Sequence, residues 1–245
     1  MKLYLLAALG GAALLFAAPA QAQPDVLFYT TLNRAVHLGQ YDGVMTVRDF
    51  KKNGDFGLGS IDKLKYELIY LDGTPYGFSA DGEAITLPDD ARVVFGVTKH
   101  FKAQKTIELS EKLSLKKLQA VLDTLLDHNA FAAIKITGTF DQIKYFCYEE
   151  QQKPYKPTRK IGKKNFERSG VEGTIVGFFT PRSAEVLNSP NYHFHFTTQN
   201  RDGGGHVDDC RIGRVRIEID YAEELRVHLP EPRLQQNIDL NKPIK

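Results

Sequence analysis

Only one stretch of this 245-residue chain carries a strong helical stripe, and that limits its fold more than any other feature. Leu115, Leu118, Val121, Leu122, Leu125 and Leu126 recur at helical spacing behind Ser114, with Lys116, Lys117 and Asp123 on the other side. His128, just past the stripe, reads as a solvated residue where a cation favours the helix dipole. A shorter helix is expected over residues 46–52, capped by Thr46 and ended by Gly54. Most of the remainder reads as short apolar or β-branched runs. They fall at residues 26–32, 66–71, 76–79, 84–87, 92–98, 131–137, 140–148, 174–179, 192–198, 206–219 and 225–229. Asp72-Gly73 and Asp81-Gly82 favour tight turns between them. The pattern is α+β, a mixed α/β chain rich in strands. Residues 153–168 are basic and aperiodic and read as a long surface connection. It suggests an N-terminal α/β lobe over residues 23–150 and a C-terminal strand-rich lobe over residues 151–245.

Charge narrows the partners. Lys and Arg total 32 against 30 Asp and Glu, a net +2 too balanced for a nucleic-acid binder. Met1-Lys2, an apolar run over residues 3–18 and Pro19-Ala20-Gln21-Ala22 read as a secretory signal peptide cleaved after Ala22. The run is shorter than the roughly 20 apolar residues of a membrane-spanning helix. Losing Lys2 takes the basic count from 32 to 31 against 30 acidic residues, a mature charge of +1. The expected product is exported, periplasmic or extracellular, without stable membrane association. Such a compartment permits disulfides. Cys147 and Cys210 either close a long loop, a constraint of roughly 4 kcal/mol, or remain two buried thiols.

The chemistry concentrates near the C-terminal end. His193 and His195 are two apart in a strand candidate, so both imidazoles leave one face. Residues 200–205 are rich in turn formers and end in Gly203-Gly204-Gly205, directly before His206. If that link is a hairpin, it returns a third imidazole to the same centre. Three protein ligands with a position left open are how catalytic zinc is usually held. The bland alternative is a pair of half-exposed strand histidines. Asp208 and Cys210 alternate onto the face of His206 and could be ligands, supports or packing. Upstream, Gly54, Gly57 and Gly59 call for unusual backbone angles or close approach. Their loop lacks the Gly-Lys-Ser/Thr ending of a phosphate-binding loop.

The run Tyr192-His193-Phe194-His195-Phe196, followed by Arg201-Asp202-Gly203-Gly204-Gly205-His206-Val207, resembles the zinc site of alpha-acetolactate decarboxylases. Tyr41-Asp42-Gly43, the glycine-rich segment 54–60, Glu67 before Leu71-Asp72-Gly73, Gly138-Thr139-Phe140 and Lys153-Pro154-Tyr155 extend the resemblance in order over about residues 26–240. The resemblance implies two lobes, each built on a β-sheet, with the metal site in the C-terminal half facing the N-terminal half, and a homodimer. It implies a small-molecule 2-hydroxy-3-oxo acid substrate, 2-acetolactate, converted to acetoin and CO2 without an organic cofactor. Zn2+ would be held by His193, His195 and His206, with Glu67 handling protons. Taken alone, Glu67 would read as an exposed strand residue.

Two positions depart from the resemblance. An arginine is expected eight residues after the glycine of Gly-Thr-Phe, to hold the substrate carboxylate, but Gly138 plus eight is Phe146. A phenyl ring cannot form the paired hydrogen bonds that guanidinium gives a carboxylate. Lys144, two residues earlier, would share that strand face and is the candidate point charge. A C-terminal helix carrying a second glutamate is also expected, yet the sequence ends at Lys245, with only Glu231 and Asp239 nearby. These departures lead to an expectation of attenuated turnover. The alternatives are a noncatalytic zinc- or small-molecule-binding relative and a zinc lyase with an altered substrate.

Mass spectrometry of exported protein is expected to show a chain beginning at Gln23. An intact N-terminus on a membrane-bound product would contradict the assigned leader.

Overall fold

A computed structural model describes residues 25–241, and the expected leader lies outside them. The chain runs through β1 (Val26–Thr30), α1 (Asn33–His37), β2 (Met45–Thr46), α2 (Val47–Phe50), β3 (Phe56–Ile61), β4 (Glu67–Leu71), β5 (Thr74–Phe78), β6 (Ala84–Thr86) and β7 (Arg92–Lys99). It continues through β8 (Lys105–Leu109), β9 (Leu113–Ser114), α3 (Leu115–Leu125), β10 (Ala132–Tyr148), β11 (Lys163–Thr180), β12 (Asn191–Thr198), β13 (Gly204–Tyr221) and β14 (Glu224–His228). Among the described residues no helix is long and apolar enough to cross a membrane.

Two sheets result. The first has the order β14-β1-β7-β3-β4-β5-β6, with β2 also on β7. The second has the order β10-β11-β12-β13-β8, with β9 also on β13. Because β10 pairs with β13 as well, β10 to β13 close into a ring. The chain changes sheets between Lys99 and Lys105, and β14 returns to the first sheet. Residues 105–148, expected with the N-terminal lobe, thus build the second sheet. The basic connection before β11 joins two antiparallel strands of one sheet. Its length and polarity resemble a boundary because it bridges the ends of unusually long strands of 17 and 18 residues.

Strand alternation sorts the side chains into layers. Phe28, Leu68 and Tyr70 leave the outer face of the first sheet and pack with Val47 and Phe50 of α2. Leu27, Tyr29, Ile69 and Leu71 leave the inner face and meet Ala133, Val176 and Phe178 of the second sheet. On that sheet's far side, Ile134, Ile136, Phe194, Phe196 and Ile217 pack under Leu118, Leu122 and Leu126 of the expected long helix. The order is helix, sheet, sheet, helix. Thr46 caps α2 as expected, its Oγ1 accepting from the amide of Asp49 at 3.2 Å.

The glycine-rich segment is a buried strand, β3, and its glycines serve close approach. A Cβ on Gly59 would meet the Phe95 carbonyl at 2.1 Å. A buried ion cluster also ties the sheets together: Lys99 Nζ lies 2.7 Å from Asp220 Oδ2 and 2.8 Å from Asp25 Oδ1. Removing one member of such a cluster typically costs about 3–5 kcal/mol because a buried charge is left alone. Cys147 and Cys210 are both free, buried thiols.

Candidate metal centre

The layer argument predicts where the polar residues of these strands must point. Glu67 has the parity of Ile69 and Leu71, so it leaves the first sheet toward the second. His193 and His195 have the opposite parity to Phe194 and Phe196, so they leave the second sheet toward the first. The glycine link does form a hairpin connection, and it places His206 directly opposite His195 across β12 and β13. The other neighbour of His206 is Phe146 on β10. A Cβ on Gly205 would stand 2.5 Å from the Phe146 carbonyl, so glycine lets β13 enter against β10 just before the histidine.

The three imidazoles converge. Their centroids are 4.9–5.2 Å apart, and one ligand atom from each lies within 4.8 Å of the others. His193 Nδ1–H donates to Asn188 Oδ1 at 2.6 Å, and His195 Nδ1–H donates to the Leu68 carbonyl at 3.1 Å. These bonds fix tautomers that leave Nε2 as the lone-pair atom of both rings. Burial, reinforced by the neighbouring imidazoles, holds His193 and His195 well below the usual histidine range. His206 is lowered to about 4, first by burial and then by His37 and Lys163. Neutral nitrogens on oriented rings fit a divalent transition metal, for which protons are the main competitor.

Glu67 is 4% exposed, and its Oε2 lies 3.6 Å from His195 Nε2. Burial raises its pKa to about 8, against a weak bond from the Tyr148 amide. In the metal-free protein the group therefore keeps its proton toward neutral pH. It and the histidines line a cavity of about 50 Å³, with Leu64, Phe95, Tyr148, Thr158 and Ser189 among the other wall residues. His37 of α1 also lines it and is hydrogen-bonded to Thr158 Oγ1 at 2.9 Å. Neither His37 nor Asn188 stands out in the sequence. His37 lies on a five-residue helix and Asn188 in a turn, and no spacing links either to the histidine motif.

The other candidates fall elsewhere. Lys144 does not line the cavity. It sits opposite Glu167 on β11 and Asp209 on β13, between two acidic neighbours, and the β10–β13 register shifts immediately after it. Phe146 is 7% exposed and stacks on His206 at 4.7 Å. The register shift also breaks the alternation expected for β13. Cys210 is buried in the core beneath α3, its thiol pushed up to about 12 by burial, and Asp208 is exposed. Glu231 pairs with Arg233, and Asp239 accepts from the Asn241 amide, both away from the cavity wall.

Comparison with known proteins points to one family. The family model for alpha-acetolactate decarboxylase matches residues 27–242. An alpha-acetolactate decarboxylase of Brevibacillus brevis is 36% identical over 213 residues, covering 85% of this chain and 74% of that protein. One from Methanosarcina mazei is 36% identical, covering 84% of this chain and 73% of that protein. The crystal structure of the Bacillus subtilis strain 168 enzyme superposes with a TM-score of 0.86 at 30% identity, over 89% of this chain and 94% of that one.

Metal and pH both probe this centre. A divalent transition metal at a hundredfold excess over its Kd adds about 2.7 kcal/mol of stability, worth roughly 5–10 °C in Tm for a chain of this size. Calorimetry is expected to show that rise in the native protein and to lose it in His195→Ala; an equal rise in the variant would contradict the assignment. Without metal, the unfolded chain protonates its imidazoles near pH 6.5 while folded His206 waits until about 4. The unfolded state then binds more protons, so stability present above pH 6.5 is lost as pH falls toward 4. Glu67 acts oppositely, losing its contribution as pH rises from 4.5 toward 8. Three imidazoles outweigh one carboxyl, so metal-free protein is expected to melt lower at pH 5 than at 6.5, with a shallower dependence in His206→Gln.

Proposed function

The chain belongs to the alpha-acetolactate decarboxylase family, and on that premise we propose that its histidine cavity performs zinc-dependent decarboxylation of 2-acetolactate to acetoin and CO2. The observation carrying this reading is the meeting of Glu67 from one sheet with three neutral imidazoles from the other. Zinc held by His193, His195 and His206 would supply Lewis-acid stabilisation of negative charge on substrate oxygen.

The rest of the work falls to the protein's own groups. When the bond to the carboxylate breaks, its electron pair passes into the adjacent ketone and CO2 leaves. A proton must then reach carbon. Glu67, buried with its Oε2 3.6 Å from His195 Nε2, is placed to deliver it and to be reprotonated afterwards. Phe95 and Leu64 give the cavity an apolar side. Export with cleavage after Ala22 and a homodimer belong to the same proposal; the leader motif supports the first and the family resemblance the second.

A second reading, a related reaction on a less anionic substrate, is favoured by one observation. Among the described residues the cavity wall contains neither lysine nor arginine, and Phe146 stands where the resemblance expects the arginine.

Purified mature protein loaded with zinc is expected to form acetoin from racemic 2-acetolactate. Glu67→Gln should lower turnover by about 10²–10⁴-fold, the usual worth of a general acid–base group, without loss of zinc. Unchanged turnover in that variant would remove Glu67 from the mechanism; no acetoin from the native protein would favour the second reading.

A further inference from the structure

If the cavity turns over an anion, some group in its wall must hold the carboxylate, and among the described residues that wall contains neither lysine nor arginine. The donor set and Glu67 supply part of the wall. The remainder includes neutral polar groups: Asn33 and His37 of α1, Thr158 of the basic connection and Ser189 of the loop after β11.

These groups are built in. Asn33 is 6% exposed and Thr158 9%. Asn33 Nδ2 donates to Ser189 Oγ at 3.1 Å, so that pair is bonded to itself. The amides of Asn33 and Arg34 open a five-residue helix and have no carbonyl within it to reach. They donate instead to the Leu187 and Val186 carbonyls, both at 3.3 Å. The same loop carries Asn188, which orients His193. The helix that bears His37 and one imidazole of the donor set therefore share a support. At the far end of α1, His37 Nδ1 is hydrogen-bonded to Thr158 Oγ1 at 2.9 Å. A ring whose Nδ1 accepts from that hydroxyl carries its proton on Nε2. One nitrogen is thus held by a buried wall residue, and the other is the polar atom left for a ligand.

We infer that His37, through Nε2–H, binds the carboxylate of a small 2-hydroxy acid in the histidine cavity, in place of a cationic side chain. A hydrogen bond to an ionised acceptor is about twice as strong as one between neutral partners, so the contact needs no charge on the ring. A single N–H holds one carboxylate oxygen, and the hydroxyl and ketone end of the substrate must complete the orientation. The cavity holds about 50 Å³, so a ligand with two functional ends meets more than one part of its wall. The inference rests on the proposed decarboxylation.

Two probes that differ only in the carboxylate test it. One is 2,3-dihydroxy-2-methylbutanoate, the substrate with its ketone reduced so that CO2 cannot leave. The other is butane-2,3-diol, which has hydrogen in place of the carboxylate. Calorimetric titration of zinc-loaded native protein is expected to show the acid binding at least about tenfold more tightly than the diol. His37→Phe keeps a ring of similar shape without an N–H. It is expected to weaken the acid about ten- to a hundredfold and to change diol binding less than about twofold. His37→Gln, whose amide N–H reaches about as far as imidazole Nε2, should restore most of the affinity. His100→Phe, at an exposed histidine, should leave both probes unaffected. Should His37→Phe lose zinc or fold poorly, His37→Leu takes its place. Equal native affinity for the two probes, equal weakening of both, no weakening of either, no rescue by His37→Gln, or the same loss in His100→Phe overturns the inference. Because binding needs no turnover, the titration judges His37 even if native protein makes no acetoin, the result that would refute the decarboxylase reading.

Discussion

The pairing of His195 with His206 across β12 and β13 is the contact on which the site depends, because it is backbone geometry that makes three imidazoles meet. A histidine pair two apart in a strand can aim two rings at one point but cannot close a ligand set. Closure needs a second strand in register, and the ring formed by β10 to β13 supplies it. Gly205 permits that register, since any side chain there would strike the Phe146 carbonyl. The inner faces of both sheets then close over the rings and remove them from water. Burial keeps the imidazoles unprotonated, and Asn188 and the Leu68 carbonyl orient two of them. Assembly of the β12–β13 hairpin and docking of the two sheets are therefore the same event as formation of the donor set.

The burial that keeps histidine neutral keeps Glu67 protonated, so one cause acts on bases and acid alike. The result is a cavity with little fixed charge of its own, where an incoming anion or metal is not already cancelled. Lys99 and Asp220 show the opposite solution in the same fold, with charges fully buried but directly paired and locking β7 to β13. Charge used for cohesion is neutralised internally.

Much of this was legible in the sequence because it depends on local periodicity. The leucine stripe of α3 and the Thr46 cap appear as expected, and the two-residue spacing of His193 and His195 puts both rings on one face, whereas Glu67, which reads alone as an exposed strand residue, is buried between the sheets. What could not be read depends on register between distant strands. The extra residue on β13 that shifts the β10–β13 ladder after Lys144 decides that Cys210 falls into the core. The glycines of β3 illustrate a related ambiguity: close packing between strands and a flexible loop demand the same residue. The basic connection looked like a boundary because composition records exposure, not which sheet the chain joins next.

The central claim is that the β12–β13 pairing makes a three-nitrogen metal site between two sheets. X-ray absorption at the zinc edge of zinc-loaded protein tests it most directly. The account predicts three imidazole nitrogens at about 2.0–2.1 Å with the remaining coordination by oxygen. Sulfur at about 2.3 Å, which would require Cys147 or Cys210 to leave its buried position, or a spectrum unchanged by His206→Gln, would contradict it.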